Sequence, residues 1–243
     1  MDTEKQAPRG PAVIVGASGG VGAALVRGLV ARSPSRSIHA LSRRAAAIDG
    51  AQAGVVDLED EDSIQTAAAS VVRDGAPDLV IVATGVLHGV FKPERSMREL
   101  SADHLLRDYR INAVGPALVA KHLMPLMPRD RRAVFAVLSA RVGSIGDNRL
   151  GGWHAYRASK AGLNMILKTL AVEAARTHPQ AIICGLHPGT VDTELSQPFQ
   201  RGVVPGKLFT PEVSAAHLLK VIDGLTPADS GGVFAWDGSR IPA

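Results

Sequence analysis

A single cysteine in 243 residues, Cys184, excludes an internal disulfide and points to a reducing compartment, the cytoplasm. It lies in the apolar run AIICGL, where it reads as a small buried hydrophobe rather than a nucleophile. The charge of +4 is carried without any dense block of Lys and Arg. That excess suits an anionic cofactor but gives no nucleic-acid footprint. No long uncharged apolar run is present, and the opening MDTEKQAPRG lacks the basic-then-apolar pattern of a secretory leader. The expectation is a soluble protein with no membrane partner. No His, Cys or carboxylate pair has metal-ligand spacing, and LEDEDS (58–63) reads as a solvated helix start, so no metal is expected. Aromatic residues make up only 4%, and tyrosine occurs twice.

What is abundant is apolar and small: 46% hydrophobic residues and 25 glycines, enough for a sizeable core. Short apolar runs at 12–17, 37–42, 53–58, 78–84, 133–139, 181–188 and 231–236 read as strands. Most are nearly continuous in apolar residues, as strands covered on both faces must be. Helical periods lie between them at 20–32, 60–74, 101–127, 153–178 and 211–224. The last opens with Thr210 as N-cap, Pro211 at the first helical position and Glu212 in the first turn. The alternation predicts an α/β chain: a single-domain Rossmann fold over 11–243, with a doubly wound, mostly parallel seven-stranded sheet and helices on both faces. Residues 1–10 read as a flexible arm, and 189–210, rich in Gly and Pro with weak periodicity, as a mobile loop near a site.

The first strand runs into VGASGGVGAAL, with Gly16, Ser18, Gly19, Gly20, Val21 and Gly22 between strand and helix. A strand, a glycine turn and a helix N-terminus together cradle a pyrophosphate, since backbone can approach closely and the helix dipole favours the anion. The spacing Gly16-x-x-x-Gly20-x-Gly22 differs from G-x-G-x-x-G but stands in the context that fingerprint requires. After the second strand come Arg43 and Arg44, where an acidic residue would hold a ribose 2′-hydroxyl; Arg43 argues for a 2′-phosphate, hence NADP(H), with NAD(H) possible. Asp57 could meet the adenine edge, with the Leu58 backbone completing the contact, or cap the next helix. Tyr156 and Lys160, in HAYRASKAG, share one helical face and form either an ordinary surface pair or a proton donor beside a tuning cation.

These glycines, Asp57, Asn112, Tyr156-x-x-x-Lys160 and HPGTVDT (187–193) occur in the order found in short-chain dehydrogenases/reductases. The chain resembles that family from residue 11 to its end. SARVGSIGDNRLGGWHAYRASKAGLN and the ending GGVFAWDGSRIPA are most similar to its branch of C-factor proteins and sniffer-type carbonyl reductases. The resemblance implies an NAD(P)-dependent oxidoreductase that reduces a small carbonyl compound reversibly. It also implies a homodimer or homotetramer paired through the helices at 101–127 and 153–178. Tyr156 would donate the proton, Lys160 tune it and hold the nicotinamide ribose, and Asn112 support a water in the relay. Bringing a free tyrosine from a pKa near 10 to near 7 requires about 4 kcal/mol of differential interaction. Ala83, Thr84 and Gly85 replace the family's Asn-Asn-Ala-Gly as the floor under the cofactor ribose. Pro188, Gly189, Val191 and Thr193 match the turn that recognises the nicotinamide carboxamide. The family's serine is out of register: anchored on Gly143, its position falls on Ala140, leaving Ser139 as the candidate substrate contact and Ser144 as a second. That departure leaves open an alternative of another class, a cofactor-binding regulatory or signalling protein, C-factor-like, with little turnover.

Overall fold

The computed structural model describes residues 9–243. Of the expected arm at 1–10, residues 1–8 lie outside the described residues. Gly10 is tied down, its N–H donating to Asp78 Oδ2 (2.8 Å) and its carbonyl accepting from Arg36 Nε (2.8 Å).

The chain folds as β1 (Ala12–Val15), α1 (Gly20–Arg32), β2 (Ile38–Ser42), β3 (Gln52–Val55), α2 (Glu61–Val71), β4 (Leu79–Val82), α3 (Ala102–Tyr109), α4 (Gly115–Leu123), β5 (Ala133–Leu138), α5 (His154–Ala174), β6 (Ala181–His187), β7 (Thr190–Val191), β8 (Leu208–Phe209), α6 (Pro211–Gly224) and β9 (Val233–Ala235). Seven strands form one parallel sheet in the order β3-β2-β1-β4-β5-β6-β9. The order reverses direction between β1 and β4, and that switch point opens a crevice at the carboxyl ends of the strands.

Alternating strand residues feed two cores, as a period of two requires. Ala12, Ile14, Ile81, Ala136 and Cys184 pack with α1 and α6, whereas Val13, Val15, Val80, Phe135 and Ile183 pack with α2, α4 and α5. Cys184 is fully enclosed, and burial pushes its thiol up to about 12, which suits packing and not nucleophilic chemistry.

Three expectations need correction. The strand expected at 53–58 is displaced to Gln52–Val55 and is largely exposed, because it is the sheet's edge. The single helix expected at 101–127 is broken by a π-helical turn, Arg110–Val114, between α3 and α4. The segment 189–210 is not a plain loop: β7 and β8 pair within it, and a 3₁₀ turn spans Gln197–Gly202. Among the described residues no helix is long and apolar enough to cross a membrane.

Candidate active site

Tyr156 and Lys160 both lie on the buried face of α5, one turn apart. Lys160 Nζ donates to the Leu138 carbonyl at the end of β5 (2.7 Å) and sits 5.9 Å from the centre of the Tyr156 ring. The backbone enters α5 through three successive left-handed residues, Gly151, Gly152 and Trp153, the last at φ 52°. Trp153 is the only non-glycine with positive φ among the described residues, and it stands directly before the reactive pair. Its side chain does not cap the helix. Glu94 does so instead: its carbonyl accepts from Trp153 N–H (2.6 Å) and its carboxylate from Ala155 N–H (3.3 Å).

Burial, and secondarily the charge of Asp108, holds Tyr156 above its ordinary range. Burial also draws Lys160 down to about 8, with Asp108 acting against it.

Asn112 is fully buried on the π turn. Its Oδ1 accepts from Val86 N–H (2.8 Å), and its Nδ2 donates to Val86 O (2.9 Å) and to Ser159 Oγ (3.0 Å). The Ser159 hydroxyl in turn donates to the Tyr156 carbonyl (2.9 Å). The extra residue of the π turn is how a helix aims this amide at two neighbouring segments at once.

Ser139, expected to contact the substrate, has its Oγ donating to Asn164 Oδ1 (2.6 Å) on α5. Ser144 Oγ accepts from Asp147 N–H (3.1 Å). The residue packed against Tyr156 is Ala140, with Leu87 beside it and Val142, Trp153, Leu195 and Phe199 around them. Trp153 meets Phe199 edge-on, with ring centres 4.9 Å apart. His88 is half-buried, with Nε2 3.0 Å from the Glu194 carbonyl. The phenol therefore stands in an apolar, aromatic cup that lacks the expected hydroxyl.

The glycine turn abuts this cup. Gly16 has φ +91°, and a Cβ there would meet Thr84 Cγ2 at 2.9 Å. A Cβ on Gly22 would fall 2.1 Å from Gly16 O, so α1 can approach the turn only without side chains. The N–H groups of Gly20, Val21 and Gly22 have no intrahelical partner, the first turn of α1 holds no acid, and Ser18, Gly19 and Gly20 are exposed. Thr84 Oγ1, next to Ala83, is buried without a protein partner. A Cβ at Gly85 would lie 3.5 Å from both Asn112 Oδ1 and Lys160 Nζ, which ties the floor to the reactive residues. Thr193 places its methyl against Gly20, joining the 188–193 turn to α1. In that turn Pro188 O accepts from Ser214 Oγ (2.9 Å), Gly189 has φ +78°, and Val191 is buried. Arg43 and Arg44 are exposed just beyond β2. Asp57 does not cap α2, which Asp60 does; its Oδ1 accepts from Glu59 N–H (3.0 Å), beside buried Leu58. An open helix terminus, a side-chain-free turn and an unpartnered hydroxyl fit a dinucleotide phosphate and ribose.

Three residues beneath this site escaped the sequence reading: Glu94, His104 and Asp108, all buried. The i,i+4 spacing of His104 and Asp108 was the one local signal; Glu94 comes from an irregular segment that carries none.

A parallel sheet with this order, carrying a glycine turn at one side of the crevice and a Tyr-Lys pair at the other, defines a nicotinamide-dinucleotide oxidoreductase acting on CH–OH and C=O groups. The chain belongs to the short chain dehydrogenase family, whose model matches residues 11–203. It is 33% identical over 224 residues to 1-hydroxy-2-glutathionyl-2-methyl-3-butene dehydrogenase of Rhodococcus sp., covering 86% of this chain and 93% of that protein. It is also 34% identical over 139 residues to C-signal of Myxococcus xanthus, covering 57% and 78%. Among solved structures, NADPH-bound carbonyl reductase from chicken fatty liver superposes with TM-score 0.83 at 22% identity, covering 98% and 96%. The carbonyl reductase Sniffer of D. melanogaster gives the same TM-score and identity, covering 97% and 100%.

Proposed function

We propose that the protein is an NADPH-dependent reductase of a small apolar or aromatic carbonyl compound, working reversibly as an alcohol dehydrogenase. One observation carries the reading: a buried tyrosine with a lysine one turn away stands in an apolar cup beside an open dinucleotide cradle. Gly16 and Gly19–Gly22 would hold the pyrophosphate, Asp57 and Leu58 the adenine, Arg43 the 2′-phosphate, and Thr84, Gly85 and Lys160 the ribose, with Pro188–Thr193 on the carboxamide. When bound, the cofactor supplies a hydride to the carbonyl carbon. Tyr156 gives its O–H proton to the carbonyl oxygen as charge develops there, becoming a phenolate that the Lys160 ammonium stabilises. Asn112 positions Val86 and Ser159, and so the floor and the turn of α5 that bears Tyr156. Leu87, Val142, Trp153 and Phe199 exclude water and select apolar substituents. With Ala140 in the cup and Ser139 turned toward Asn164, the oxyanion relies on Tyr156 alone among the side chains named here.

Exposed Leu106, Tyr109 and Val114 on α3 and the π turn, with Met165 and Val172 on α5, support a homo-oligomer paired through these helices; the cytoplasm remains the proposed location. The Ala140 departure favours a second reading, a cofactor-binding regulatory protein with little turnover. Thermal shift with NADPH, NADH and their oxidised forms, followed by a carbonyl panel, separates the two. The expected result is a larger shift with NADP(H), lost in Arg43→Asp, and turnover of aromatic aldehydes or ketones. An Arg43→Asp variant that still prefers NADPH overturns the 2′-phosphate assignment, and tight binding without turnover across the panel supports the regulatory reading.

A further inference from the structure

The sequence Gly-Gly-Trp (151–153) brings the chain into α5 through three successive left-handed residues, and the third carries a large side chain. A left-handed backbone strains such a residue, and it persists where surrounding contacts over-determine it. Those contacts come from the irregular segment after β4. The Glu94 carbonyl accepts from Trp153 N–H (2.6 Å), and both oxygens of its carboxylate accept from Ala155 N–H (3.3 Å each). A Cβ on Gly152 would stand 3.2 Å from the same carbonyl, so a bare backbone lets the two segments meet. On the other side, Arg157 Nε donates to the Gly152 carbonyl (3.0 Å) and its Nη1 to the Val142 carbonyl (3.2 Å). Glu94, only 1% exposed, is itself held from behind. His104, on α3, brings Nδ1 to 3.1 Å from Glu94 Oε1; an ionised carboxylate only accepts, so this nitrogen carries the hydrogen. Phe91 stacks on that imidazole, with 4.9 Å between ring centres.

The residue so held is part of the cup. Trp153 packs against Leu87, Ala140 and Tyr156, and its ring meets Phe199 edge-on at 4.9 Å and Tyr156 edge-on at 6.4 Å between centres. Tyr156 has a separate support in the Ser159–Asn112 hydrogen bonds, whereas the Trp153 N–H is held by Glu94. We infer that Glu94 is a positioning residue that sets substrate preference: backed by His104, it keeps Trp153 left-handed and so fixes the indole as the wall against which an aromatic carbonyl compound packs. Glu94 lies behind that wall and acts through Trp153. Its chemistry suits the place. A helix dipole favours a carboxylate at the first N–H groups, and two acceptor oxygens serve the Ala155 N–H and the imidazole at once. The inference rests on the reading of the cup as the substrate site.

The test compares benzaldehyde with propanal as substrates and reads the indole separately. Glu94→Gln keeps the size of the side chain but offers one acceptor oxygen in place of two. It should raise KM for benzaldehyde about tenfold with kcat within about threefold, and leave KM for propanal within about twofold. Trp153→Gly, unstrained at a left-handed position and without the wall, should lose the same preference. Adding Glu94→Gln to Trp153→Gly should then change the preference by less than about twofold, because the two residues act as one unit. His104→Leu should reproduce the Glu94→Gln loss, and His104→Asn, whose amide nitrogen takes the place of Nδ1, should restore the parent preference. If Glu94→Gln does not fold, the two His104 variants decide. Asp103→Asn, an exposed acid on α3, should leave the preference unmoved. In a Trp236→Phe background Trp153 is the sole tryptophan, and acrylamide quenching of its fluorescence should rise in Glu94→Gln and in His104→Leu. A preference unchanged in both of those variants, or a loss of full size when Glu94→Gln is added to Trp153→Gly, overturns the proposal. A parent that reduces no carbonyl refutes the functional reading instead, and the quenching still decides whether Glu94 holds the indole: equal quenching in parent and variants says that it does not.

Discussion

Ala140 and Ser139 exchange the roles that their neighbours in sequence suggest, and the consequence is measurable. Ala140 packs against the phenol and Ser139 bonds to Asn164. Ala140→Ser adds a hydroxyl inside the cup and should raise kcat/KM for carbonyl reduction by about tenfold, since one oxyanion donor is worth at least that. Ser139→Ala should leave kcat within about threefold but lower stability by about 1–3 kcal/mol, because Asn164 Oδ1 loses its buried partner. Steady-state kinetics and chemical denaturation of the two variants check both. The register departure was legible in the sequence, because counting back from Gly143 puts alanine where a serine is expected. Which hydroxyl points where was not. A strand end can turn either way, and only the packing of β5 against β6 and α5 decides it.

At the scale of elements, the π turn between α3 and α4 is the device that brings Asn112 to Val86 and Ser159. Asn112→Ala should cost about 3 kcal/mol, leaving the Val86 N–H and C=O unpaired in the interior. Thermal denaturation should then fall by roughly 6–12 °C. The strand-helix alternation, the boundaries of α1 and α6, and the Thr210 cap were all readable, because they follow from local periodicity and capping chemistry. The π turn was not, since RINAVGP continues the helical pattern and the insertion is stabilised by tertiary hydrogen bonds. Glu94 escaped for a related reason: it lies outside any periodic segment, and its partners are 10 to 61 residues away in the chain. Tyr156 and Lys160 were legible because helical spacing alone puts them on one face.

Over the whole molecule, the crevice at the carboxyl ends of the strands gathers residues from nearly every crossover, and its polar members are tuned by burial more than by one another. His187, at the end of β6, is held neutral by burial, its pKa drawn down from 6.5 to about 4. Below about 6.5 the unfolded chain takes up a proton there that the folded chain does not. Stability should therefore fall as pH drops from about 6.5 to 4, by up to roughly 3 kcal/mol from this residue. Melting curves across that range should flatten in His187→Gln.

Carbonyl reduction through Tyr156 is tested by NADPH oxidation driven by an aromatic aldehyde, in the parent and in Tyr156→Phe. The phenylalanine keeps the ring and its packing against Ala140 and Leu87, so folding and NADPH-induced thermal shift should be retained. The parent should turn over and the variant should lose about 10²–10⁴-fold in kcat; equal rates in the two proteins would rule out Tyr156 as the proton donor.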